Sequence, residues 1–268
     1  MAGAALIALG AGRAHAGGYQ PYWESTDPTD QQSKDVPPGD PSLVDWHVGL
    51  RLGPYIPDVD GQVATTPGVP GPYEQMFGGY HVLTMLDVDY IVWKGAGQLG
   101  IGGSAGYWQK TARPFTKDAD LMSPNPERQS GNKNSFRLIP LELSATYRLT
   151  MLDDNYGIPV VPFIRGGLAY YIWWVTTPNG HYARLCDVNG QNCGNKALGA
   201  SLGLQGAIGL SIRAERIDPS AAMSMQNSGV QHAGIYAELS LAKVDGFGSD
   251  TKLSVGDTTW FAGVDFEF

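Results

Sequence analysis

The run ALGASLGLQGAIGLSIR, residues 197–213, alternates in character along its whole length. Leu198, Ala200, Leu202, Leu204, Ile208, Leu210 and Ile212 fall on one face. Gly199, Ser201, Gly203, Gln205, Gly209, Ser211 and Arg213 fall on the other. A period of two sustained over this length describes a β-strand whose faces meet different surroundings. The charge-free stretch Ala197–Ile212 is too short for a helical membrane span, which needs about 20 apolar residues.

The same pattern recurs outward from this run. It appears in VDWHVGLRLG (44–53), LDVDYIVW (86–93), QLGIGGSAGYW (98–108) and LIPLELSATYRL (138–149). It continues in FIRGGLAYYIWW (163–174), GIYAELSLAK (234–243) and WFAGVDFEF (260–268). These segments predict eight strands, or ten if residues 54–78 or 176–196 hide a hairpin. Connections at 54–78, 111–135 and 176–196 are long and rich in Pro, Gly and Asn, whereas 94–97 and 150–159 are short. Long loops at one end and mostly short turns at the other suit an all-β, antiparallel, up-and-down barrel; residues 214–232 depart from that series.

Alternation does not say which face is inside. The polar faces carry Gly, Ser and Gln together with charges of both signs. Arg51, Asp87, Asp89, Glu142, Arg148, Arg165, Arg213, Glu238 and Asp265 are expected to pair across a narrow lumen, with Asp45, Lys110 and Glu267 on the same faces. The period also sets Trp93 on the Asp87/Asp89 side. A solvated exterior would hold more Lys and Glu and less Gly; here 36 of 268 residues are Gly and only 16% are charged. Tyr and Trp gather toward strand ends, where a membrane interface favours them. The reading is therefore a transmembrane barrel with apolar residues turned to lipid. On it, Leu204→Arg costs stability, while Gly203→Ser on the opposite face is mild.

The chain divides into three parts. Residues 1–16 read as a signal peptide, an apolar run before Ala14-His15-Ala16 with cleavage after Ala16. No Lys or Arg precedes that run. Residues 17–42 form a Pro/Asp/Gly-rich linker and 43–268 the barrel. Export would allow Cys186 and Cys193 to form a disulfide. Net charge is −8 with no basic block, so nucleic acid is not an expected partner.

The segment 260–268 resembles the C-terminal β-signal of bacterial outer-membrane barrels, through Gly263, Phe266 and Phe268. Phe261 stands where that family usually has a polar residue. With the alternating segments and the signal peptide, the chain is similar to small OmpA-, OmpX- and OmpW-like barrels. The resemblance implies an outer-membrane location, contact with its lipid, and recognition of the last strand by the barrel-insertion machinery. It also implies periplasmic termini and long extracellular loops open to a ligand.

The leading expectation of function is a structural or interaction scaffold with a filled lumen. The alternative is a narrow OmpW-like channel for small or hydrophobic molecules. A hydrolase is less favoured. Asp87 and Asp89 share a face, but His81 lies some 20 Å or more away along an extended strand. A soluble ligand-binding barrel is the remaining class. No cofactor or metal site is expected.

Overall fold

The computed structural model describes residues 44–63, 70–116, 118–120, 126–129, 131–186, 193–214, 225 and 228–268. The expected signal peptide and linker lie outside the described residues. The wall consists of β1 (Trp46–Tyr55), β2 (His81–Lys94), β3 (Gln98–Ala112), β4 (Asn134–Arg148), β5 (Val160–Thr176), β8 (Leu198–Arg213), β9 (His232–Lys243) and β10 (Asp257–Glu267). They close in the order β1-β10-β9-β8-β5-β4-β3-β2, every neighbour antiparallel. The hairpin suspected in 176–196 exists as β6 (Arg184–Cys186) and β7 (Cys193–Lys196), but it forms a separate sheet and adds nothing to the wall.

Closure pairs every wall strand on both sides, which leaves no free strand edge in lipid. At the seam, the amides of Asp45 and Trp46 donate to the Phe268 carbonyl at 2.6 and 3.0 Å. The Phe268 amide donates back to Trp46 at 2.8 Å. The seam is nevertheless the shortest ladder. β1 pairs with β10 only from His47–Glu267 to Leu52–Ala262, but with β2 from Trp46–Tyr90 to Tyr55–His81.

Connections alternate between the two ends. Among the described residues, one end holds those of 56–80, 113–133, 177–197 and 244–256; the other holds those of 95–97, 149–159 and 214–231 and both strand termini of the seam. We call these the loop end and the turn end. Among the described residues, three short helices lie in the connections: α1 (Val59–Val63) and α2 (Pro72–Met76) at the loop end, and α3 (Met151–Tyr156) at the turn end.

Burial runs opposite to that of a soluble protein. Leu204, Ile208 and Leu239 are 54%, 60% and 61% exposed, while Arg51, Asp87 and Arg213 are 1%, 1% and 2% exposed. Three details depart from the alternation. The β2–β3 register shifts between Ile91 and Trp93, and this bulge turns Trp93 outward beside Tyr147. Asp45 is exposed and pairs with Lys94 at 3.1 Å. Lys110 sits at the loop-end rim and donates to the carbonyls of Gly79 and Tyr80. Gly203 faces inward as expected, yet a Cβ there would lie 1.9 Å from the Lys243 carbonyl oxygen. Gly203→Ser is therefore not mild, because the obstacle is backbone rather than environment.

Candidate functional site: a lumen in two halves

Charged side chains fill the middle and turn end of the lumen. Arg51 on β1 is the hub of those in the middle. Its guanidinium pairs with Glu238, with Glu142 at 2.8 Å and with Asp87 at 3.3 Å, and lies over the Phe261 ring at 5.0 Å. Asp87 in turn receives Arg165 at 3.0 Å, the Tyr236 hydroxyl at 3.1 Å and the Ser104 hydroxyl. The Tyr171 hydroxyl donates to Glu142 at 3.0 Å.

One layer nearer the turn end, Arg148 pairs with Asp89 at 3.0 Å and donates to His47 Nδ1 at 2.8 Å. That leaves His47 Nε2–H to donate to Asp265 at 3.2 Å. Ser211 also donates to Asp265. At the floor, Arg213 joins Asp153 of α3 at 2.7 Å, Glu267 at 3.1 Å and Asp154 at 3.3 Å. α3 ends at Gly157, whose φ of 68° lets its amide cap the Asp153 and Leu152 carbonyls.

All nine charged residues named from the sequence thus lie inside the lumen, in three ion-paired clusters around Arg51, Arg148 and Arg213. Asp87 and Asp89 are both consumed by arginines, so their shared face serves ion pairing. The partners not singled out beforehand are His47, Ser104, Tyr171, Ser211, Tyr236, Asp153 and Asp154. His47, Ser104, Tyr171, Ser211 and Tyr236 lie on polar-face positions of their strands. Asp153 and Asp154 sit in a connection, where strand periodicity carries no information.

The loop-end half is different. Tyr55, Leu83, Met85, Trp108, Phe136, Leu138 and Tyr171 point inward and form a buried apolar cluster with Tyr73 of α2. Trp108 lies at its centre, with ring centroids 5.5 Å from Tyr55, 5.5 Å from Phe136 and 6.5 Å from Tyr73. Its indole N–H donates to the His81 carbonyl at 3.2 Å. The helix that brings Tyr73 is pinned at both ends. Asp60 accepts from the amides of Tyr73 and Glu74, each at 2.7 Å. Arg128 donates to the Gln75 and Met76 carbonyls at 2.7 and 3.0 Å. α2 is thus the stopper of the mouth, tied by side chains rather than by strand pairing.

An apolar outside, a charged inside and a closed wall decide the type. In fold, this is a closed, antiparallel, eight-stranded up-and-down β-barrel with its apolar face outward, as a barrel set in lipid has it. Aromatics mark its interface levels, with Trp46 and Tyr90 in contact near the turn end at 5.0 Å between centroids.

No protein-family model and no curated protein matches the chain. Among solved structures it is similar to Neisserial surface protein A, with 12% identity over 84% of this chain and 97% of that one and a TM-score of 0.42. It is also similar to the outer membrane protein OprG from Pseudomonas aeruginosa, with 13% identity over 84% and 96% and a TM-score of 0.45.

Proposed function

We propose that this protein is an outer-membrane scaffold, a non-conducting barrel that displays its long connections at the cell surface. The observation that carries this reading is the doubly closed lumen: an apolar stopper around Trp108 above an ion-paired column around Arg51. A tube closed by two unrelated kinds of packing suits a rigid support better than a conduit. The loop end is then extracellular and is the place for a ligand. The side carrying α3 is periplasmic.

Export, with signal cleavage after Ala16, belongs to the same proposal. So does recognition of β10 by the insertion machinery through Gly263, Phe266 and Phe268. Phe266 and Phe268 face lipid, which supports it. The Cys186–Cys193 disulfide is proposed because the β6–β7 register sets the two residues opposite each other. It would brace a surface hairpin by about 2–3 kcal/mol. No enzymatic role is proposed, since Asp87 and Asp89 are committed to arginines.

The test is fractionation of expressing cells, followed by gel electrophoresis of unheated and boiled samples. The reading expects recovery with the outer membrane and a mobility that changes on boiling. Recovery as a soluble periplasmic or secreted protein would overturn it.

A further inference from the structure

The outward face of the wall is apolar along most of its height. Toward the loop end, among the described residues, it carries charge at Arg137 and Lys243, both basic. Lys243 meets Asp245 at 3.8 Å. Arg137 has no carboxylate partner among the described residues. It stands near the loop end of β4, on the same face as the exposed Leu141 and Leu143.

The Arg137 guanidinium is held in place. Nε donates to Gln109 Oε1 at 3.0 Å and Nη1 to the Thr176 hydroxyl at 3.1 Å. The Tyr107 hydroxyl donates to the same Gln109 oxygen at 2.6 Å. Nη2 makes no hydrogen bond among the described residues. A fork fixed on two sides loses little freedom when the remaining nitrogen takes a ligand.

A second basic group stands next to it. Thr176 forms a bridge with Tyr182, and the Ala183 amide donates to the Val175 carbonyl at 2.8 Å, so the β6–β7 hairpin continues upward from the end of β5. Arg184 lies two residues beyond Tyr182 and therefore on the same side. Its cross-strand partner is Lys196, whose ammonium lies 5.6 Å from the centroid of the Tyr182 ring. Both are exposed. Like charges directly opposite on a ladder destabilise it. An anion shared between them would reverse the sign of that contact.

The setting selects the class of anion. Arg137 pairs in register with Gln109 and Trp174, beside Tyr107, in the aromatic zone that marks a membrane interface. Cations at that level meet lipid headgroups. The planar fork of Arg matches phosphate oxygens. We propose that this outward face binds the phosphate of a lipid headgroup in the leaflet at the loop end, with Arg137 at the bilayer edge and Arg184 and Lys196 above it. The inference rests on the membrane reading, which the heat-dependent gel mobility checks separately.

The test places the isotope-labelled full chain in phosphatidylcholine nanodiscs with increasing dioleoylphosphatidic acid. The readout is the Arg137 Nε–H signal and the amides of Tyr182, Ala183 and Lys196. Saturable shifts are expected, and sodium phosphate added to discs of phosphatidylcholine alone should not reproduce them. Arg137→Gln should weaken binding on the order of ten-fold, and so should Arg184→Gln combined with Lys196→Gln. Gel mobility of unheated and boiled samples verifies that each variant folds. An equal response to sodium phosphate would assign a site for free anions and overturn the proposal. An equal response to oleate, a carboxylate lipid, would reduce it to general charge attraction and also overturn it. So would unchanged affinity in both variants.

Discussion

In the loop-end half of the lumen, Trp108 packs ring against ring with Tyr55, Tyr73 and Phe136. In the turn-end half, Arg51 collects Asp87, Glu142 and Glu238. Both arrangements fill the same tube, and they differ in how completely they satisfy their members. The aromatic half leaves few polar atoms to place, and the Trp108 indole and Tyr55 hydroxyl both find carbonyls. Among the described residues, both polar atoms of Gln98 and of Gln205 and the hydroxyls of Ser144 and Thr146 in the charged half find no hydrogen-bond partner in the protein, against the Trp173 indole N–H in the aromatic half. Each such atom has a desolvation cost. Buried ion pairs give weak net stability but fail badly when one member is lost. The aromatic half therefore contributes cohesion, and the charged half makes the structure depend on its hub.

The largest effect should come from removing that hub. Arg51→Met leaves buried carboxylates unpaired and should cost about 3–5 kcal/mol, read as a lower urea midpoint for unfolding from detergent. Adding Glu142→Gln and Glu238→Gln should recover part of the loss. Trp108→Ala should cost about 3 kcal/mol in the same assay, and no second substitution in the charged column should rescue it. Equal rescue of both would erase the difference between the halves.

The wall offers a third contrast. Leu204→Arg, on the lipid face, should cost about 2–4 kcal/mol, and the cost should shrink for the same change placed nearer a strand end. The smallest effect belongs to the tie on the stopper. Arg128→Ala removes donors to the carbonyls of α2 and should cost about 1 kcal/mol, visible as faster amide exchange in residues 72–78. Protection of β4 and β5 should not change.

The sequence made the column legible and left the stopper hidden, for physical reasons. Where one face met lipid and the other met charge, as at Glu142, Arg148 or Arg213, the period of two was plain. Near the loop end both faces become apolar: Val82 and Leu86 look outward while Leu83 and Met85 look inward. Alternation then carries no contrast, and the strands appear shorter than they are. Tyr73 was beyond reach because it arrives from a connection. Trp93 was misplaced because a bulge shifts the period by one residue, which turns every later side chain to the other face. Gly203 was misjudged because its constraint is the backbone of Lys243, on a neighbouring strand.

The account rests on a lumen closed twice. The most direct measurement is the conductance of the purified, refolded barrel in planar lipid bilayers, alone and with Trp108→Ala and Arg51→Met. The account predicts no steady ionic current for the native chain and none for either single variant that folds, because the other half still closes the tube. A stable ohmic conductance from the native barrel would contradict it and would favour a narrow channel.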